Sequence, residues 1–111
     1  MTYSYHCEVF PTEKGEYDVM IRALSISAHG VHVLDALNEA KANIVFGLFS
    51  YISGKKEIPK PKFEGKCFGS KNYMLEVDID ELRRLLEQGI DLRNISRSYD
   101  YNYAVKEYEI K

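Results

Sequence analysis

The sequence predicts an α+β fold, a small antiparallel sheet packed on one long helix with a second short helix. Three observations carry that reading. Two neighbouring stretches near the N-terminus, Tyr3 to Phe10 and Glu16 to Leu24, alternate apolar and polar residues with period two. A long segment from Val33 repeats its apolar residues at helical spacing and has a definite stop at Gly54. A third alternating stretch, Tyr73 to Ile79, then leads into a short leucine-striped segment.

In the first stretch Tyr3, Tyr5, Cys7 and Val9 share one face, with Ser4, His6, Glu8 and Phe10 on the other. Pro11 to Gly15 reads as a turn, by its Pro and Gly. In the second stretch Tyr17, Val19, Ile21 and Ala23 form the apolar set. A hairpin pairing Val9 with Tyr17, Cys7 with Val19 and Tyr5 with Ile21 matches the two apolar faces. Ser25 to His29 is a short third strand, leading through Gly30 to the helix.

The helix start carries no good capping side chain in Gly30-Val31-His32, although Asp35 suits the dipole of its first turn. Val33, Leu37, Ala40, Ile44, Leu48 and Tyr51 make one stripe. Gly54 is placed to end the helix in a left-handed cap, and Pro59 and Pro61 forbid its resumption. Val45, Phe46 and Phe49 lie off the stripe, on a side that a surface helix keeps polar. Another layer of the same chain or another chain must cover them.

A lysine-rich connector follows. Residues 55–71 carry six lysines against two glutamates, a net +4, whereas residues 1–54 carry three basic against six acidic residues, a net −3. After the Tyr73–Ile79 strand, Asp80 can cap a second helix whose Leu82, Leu85 and Leu86 form a stripe, with Gly89 stopping it. Four of the nine tyrosines concentrate in the last stretch. There Tyr99, Tyr101, Tyr103 and Val105 fit a strand, and Tyr101, Ala104, Val105 and Tyr108 fit a helix, with aromatic density favouring the strand.

Composition bounds the class. With 111 residues, 45% hydrophobic and 29% charged, the chain fits one soluble domain able to bury a core without staples. Its parts are sheet and long helix (1–54), basic connector (55–71), and strand, short helix and tyrosine-rich tail (72–111). A net charge of −2 gives no global attraction to nucleic acid or anionic membrane. No apolar run approaches the roughly 20 residues of a membrane span. Cys7 and Cys67, far apart with no signal peptide before them, point to a reducing, cytoplasmic setting.

The order of elements, with Val9-Phe10, Gly15-Glu16-Tyr17, Gly30 ahead of Asp35-Ala36-Leu37 and Ala40, and the run Ile52 to Pro61 (ISGKKEIPKP), resembles the HicB family of antitoxins. The later stretch SKNYMLEVDIDELRRLL resembles that family's next strand and helix, so the likeness covers roughly residues 3–86. It implies a partial RNase-H-like module without catalytic activity that binds and blocks a small HicA-like ribonuclease toxin. The chain departs from the pattern at Ala23-Leu24-Ser25-Ile26-Ser27, which lacks the family's proline, glycine and cysteine. The residues after the second helix are also too few for the DNA-binding segment that many members carry.

The search for chemistry returns little. The expected hairpin places Glu8 opposite Asp18 with Glu16 beside them, which reads either as a divalent-metal site or as the wet face of a ribbon. Asp35 and Glu39 fit the solvent side of the helix. His29 and His32 with Cys7 or Cys67 match no closed zinc spacing, and Cys7 falls on the buried strand face, where thiols are inert. No glycine-rich phosphate loop is present. The expectation is a non-enzyme with no cofactor and no metal.

Interaction surfaces remain. The off-stripe flank of Val45, Phe46 and Phe49 is the expected contact for a protein partner or for a second copy in a homo-oligomer. Arg83, Arg84, Arg93 and Arg97 lie within fifteen residues and offer planar forks for phosphate or an acidic partner. Pairing with Glu81 and Glu87 on a solvated helix is the plainer account of them. The leading expectation is thus an antitoxin-like module with a toxin or other nuclease as partner and no membrane association. The alternatives are a phage or mobile-element inhibitor of a host nuclease, or nucleic-acid binding through Arg83–Arg97.

Overall fold

The computed structural model describes residues 1–61, 71–88 and 105–110. Its elements are β1 (Thr2–Pro11), β2 (Tyr17–Ile21), β3 (Ile26–Gly30), α1 (Val33–Ser53), β4 (Lys71–Asp78), α2 (Ile79–Glu87) and β5 (Val105–Ile110), with a 3-10 turn at Arg22–Leu24. The strands form one five-stranded sheet in the order β3-β2-β1-β4-β5, antiparallel throughout, with β1 at its centre. The fold is α+β, with one sheet, one long helix and one short helix among the described residues. The tyrosine-rich tail enters it as a strand over Val105–Ile110; its residues 99–104 lie outside the described residues, as do Gly89, Arg93 and Arg97.

The alternation of the strands sets the two faces. Tyr5, Cys7 and Val9 of β1, Val19 and Ile21 of β2, Ala28 of β3, Leu75 and Val77 of β4 and Val105 of β5 are all buried in one core. Ala36, Leu37, Ala40, Ile44 and Leu48 of α1 join them, so the expected helical stripe is the packed one. Contacts between Gly30 and Ala36, Ser27 and Asn43, and Ile26 and Gly47 show that α1 runs antiparallel to β3. Because β3 and β4 also run in opposite directions, the chain leaving α1 must recross the sheet before β4 can begin. The connector starts that crossing with Ile58 in the core and the Tyr5 hydroxyl donating to the Pro59 carbonyl at 2.7 Å. Burial raises the Tyr5 pKa, so the phenol keeps the proton it donates.

Several local expectations are corrected. The hairpin register is shifted by two residues: Val9 pairs with Val19 and Phe10 with Asp18, and Pro11 is still in the ladder opposite Tyr17. The loop closes later than the proline suggests because Thr12 N–H donates to the Glu16 carbonyl (2.9 Å) and the Thr12 hydroxyl accepts the Glu16 N–H (3.2 Å). Gly15, at φ +77°, supplies the left-handed residue of that loop. β2 ends at Ile21 rather than Leu24, because the 3-10 turn and the left-handed Ser25 (φ 53°) reverse the chain first.

Asp35 closes the start of α1 from its first turn, as expected, whereas the start of α2 is capped differently from the sequence reading. α1 begins after His32, whose N–H donates 3.3 Å to the Asp35 carboxylate in the first turn. α2 is capped by Asp78, which accepts the Glu81 N–H at 3.1 Å. Asp80 instead pairs with the Met1 ammonium, which draws its carboxyl below the usual range. At the far end of α1, Gly54 is not left-handed (φ −83°), and the left-handed position is Lys55 (φ 54°). Lys55 N–H to Ile52 O (3.1 Å) and Lys56 N–H to Tyr51 O (2.9 Å) complete the paired bonds of a Schellman stop around it.

Two of the contacts that hold α1 against the sheet are open to mutation. A Cβ on Gly30 would overlap the Ala36 backbone nitrogen and lie 2.7 Å from its Cα, so only glycine allows β3 to meet the helix start this closely. Across the core, Lys41 (side chain 3% exposed) reaches Glu107 of β5 with Nζ–Oε1 at 3.0 Å. Gly30→Ala is expected to destabilise the fold by about 3 kcal/mol, read as a lower urea midpoint at unchanged slope. Glu107→Gln should cost about 2 kcal/mol by depriving a buried ammonium of its carboxylate, and Lys41→Met/Glu107→Gln together should restore most of it. Equal midpoints for the single and double variants would contradict that account of the pair.

Candidate functional site

The face of the sheet turned away from α1 carries the polar chemistry. Register places its side chains in rows across the strands. One row is Phe10, Asp18 and His29, and the next is Ser27, Met20, Glu8, Asn72 and Ile110. The middle of this face is buried: Glu8, His6 and Asn72 are all nearly inaccessible. Glu8 accepts from Arg22 Nε at 2.8 Å, and His6 Nε2 lies 2.7 Å from the Asn72 carbonyl oxygen, a geometry in which the ring nitrogen donates. A buried carboxylate with a guanidinium partner and a buried imidazole–amide pair are satisfied structural polar groups.

The β1–β2–β3 end of the same face is open. A groove of about 540 Å³ is lined there by Phe10, Met20, Asp18, Ser27 and His29, with Glu39 of α1 completing it from the helix side. That volume is within the range of about 300–1,000 Å³ usual for binding clefts. Phe10 and Met20 give it an apolar floor; Asp18 and Glu39 give it negative charge.

His29 is held between two carboxylates. Its Nδ1 is 2.7 Å from Asp18 Oδ1 and its Nε2 is 2.8 Å from Glu16 Oε2. Carboxylate oxygens only accept, so an imidazole that satisfies both of these contacts donates from both ring nitrogens, an arrangement that favours the doubly protonated form. The bond to Asp18, then that to Glu16, raises its pKa above the ordinary 6.5. The clasp's contribution to folding is therefore complete below pH 6.5 and is lost as pH rises through the elevated value.

The residues singled out from sequence fare unevenly. Val45 is fully buried in the core of its own chain and is not available as an exposed contact. Phe46 and Phe49 are half-buried and packed against the core, so most of the surplus apolar flank is absorbed internally. The large apolar side chains exposed among the described residues are Met1, Met20, Val31, Leu34 and Tyr108. Arg83 and Arg84 are exposed on α2, and Arg84 is spent on Glu81 through bonds of 2.6 and 2.9 Å. Glu8 does not oppose Asp18, so the expected carboxylate pair is dispersed, with Glu8 on Arg22 and Asp18 and Glu16 on His29. Burial pushes the Cys7 thiol up to about 12, with Glu107 and Glu8 adding to the effect, so it is a poor nucleophile.

Met20 could have been found from sequence, since it is an apolar residue at an outward position of an alternating strand. Glu39 could not, because only the docking of α1 on β3 brings it to the groove. Comparison with family models, with curated proteins and with solved structures finds no match for the chain.

The His29 clasp is open to direct measurement. In an NMR titration its Cε1 proton should shift with a midpoint above 6.5, and Asp18→Asn should move that midpoint down toward 6.5. An unchanged midpoint in the variant would remove Asp18 from the account.

Proposed function

We propose that the protein is a non-catalytic binding module that sequesters a basic protein partner, in the manner of a HicB-type antitoxin holding a small ribonuclease. The supporting observation is the outer-face groove, whose apolar floor of Phe10 and Met20 is bordered by Asp18 and Glu39. A ribonuclease surface that holds RNA presents cations to phosphate, and an acidic groove is the electrostatic complement of such a surface. Phe10 and Met20 supply the desolvated contact that gives an interface its affinity, while the carboxylates set register and encounter rate. The likeness over residues 3–86 to the HicB family points to the same class of partner, and an inhibitor of a host nuclease would use the same chemistry.

The test is growth rescue. Co-expression with a small ribonuclease encoded beside this chain should restore growth, and Asp18→Lys/Glu39→Lys should abolish rescue with circular dichroism unchanged. Failure of the unaltered chain to rescue any neighbouring toxin would sink the antitoxin reading.

A further inference from the structure

The geometry points to a proton-linked arginine site: we infer that the Phe10–Met20 groove takes an arginine side chain of a partner protein, and that His29 must give up its proton for that side chain to bind well. The inference builds on the groove used in the functional reading and names the group recognised there and its regulation.

Three features of the groove choose the ligand. Its carboxylates, Asp18 and Glu39, call for a cation. Its floor has a ring, Phe10, and a soft thioether, Met20, which suit the flat apolar faces of a guanidinium better than a compact, strongly hydrated ammonium. The third is its width across three strands, which lets a long aliphatic stem lie over Met20 and Ser27 while the fork reaches Asp18.

The same carboxylate is engaged by His29, and there the control arises. From β2 the imidazole faces Asp18, from the hairpin loop Glu16, and from α1 Glu39 lines the shared groove, while β1 contributes only the uncharged Phe10. As the cation, His29 occupies Asp18 and Glu16 together and repels an incoming guanidinium. Once neutral, the ring has one donor for two carboxylates, so one carboxylate is freed and the local charge becomes more negative by one. Arginine and the proton therefore compete, and by linkage each weakens the other. With one proton released, affinity should rise up to about tenfold per pH unit below the His29 pKa and level off above it.

The probe is N-acetyl-arginine amide, with N-acetyl-citrulline amide as its uncharged isostere, titrated into the full chain. The readouts are the Met20 methyl and His29 Cε1 resonances, followed between about pH 6 and about pH 9. Arginine should shift both saturably, citrulline should not, and the fitted affinity should rise with pH. His29→Gln should remove the pH dependence of the affinity, and Glu39→Gln should weaken binding at every pH. No saturable shift, an equal response to citrulline, or an affinity independent of pH in the unaltered chain would overturn the proposal. A chain that binds arginine in this way but rescues no growth loses the antitoxin reading and keeps this one.

Discussion

The close approach of Gly30 to the first turn of α1 is the contact on which the rest of the structure depends. With no side chain there, the end of β3 lies directly against the backbone of Asp35 and Ala36. The helix then runs back along β3, where Asn43 donates to the Ser27 carbonyl at 2.9 Å and Gly47 lets Ile26 approach the helix surface. These contacts put α1 over the β3 side of the sheet, cover the hairpin core, and bring Glu39 to the border of the groove. A helix held farther off would lose the core contacts of Ala36 and Ala40, whose short side chains only pack at small separations.

Polar groups divide the two faces of the sheet. On the helix side the charged pair buried among the described residues is Lys41 and Glu107, which join α1 to the far strand β5. Burial of such a pair gives little net stability, yet either partner alone is costly, so it fixes which strand sits opposite the helix. The second Glu107 carboxylate oxygen is buried and has no hydrogen-bond partner among the described residues. On the other face the buried Glu8, His6 and Asn72 are each satisfied locally, and the ionisable groups at the β2–β3 end are accessible. His29 lies among them, with Glu16 and Asp18 accepting its protons.

The functional reading moves accordingly from helix to sheet. Val45, Phe46 and Phe49 looked surplus because a helix read alone shows only its own stripe. Val45 is consumed by the core, and Phe46 and Phe49 largely so. Exposed apolar area appears instead at Met20, in the groove, and at Val31 and Leu34 around the start of α1. Arg84, bound to Glu81 on its own helix, has less to offer a phosphate than its side chain alone suggests.

The period-two runs by themselves determined the strands and their inward faces, and the helical spacing from Val33 determined α1. Both are local: each pattern needs only a neighbouring sheet or helix to bury one side. The tail was legible as a strand only where Val105 to Ile110 joins β4, since short aromatic segments satisfy either period. What the tertiary structure decided were the choices that local patterns leave free. Hydrogen bonds of Thr12 with Glu16 set the hairpin register, and with it the separation of Glu8 from Asp18. Docking of α1 placed Glu39 beside residues of β1, β2 and β3, and strand pairing put His29 opposite Asp18. The groove is assembled from four elements, and no single stretch of sequence contains enough of it to announce it.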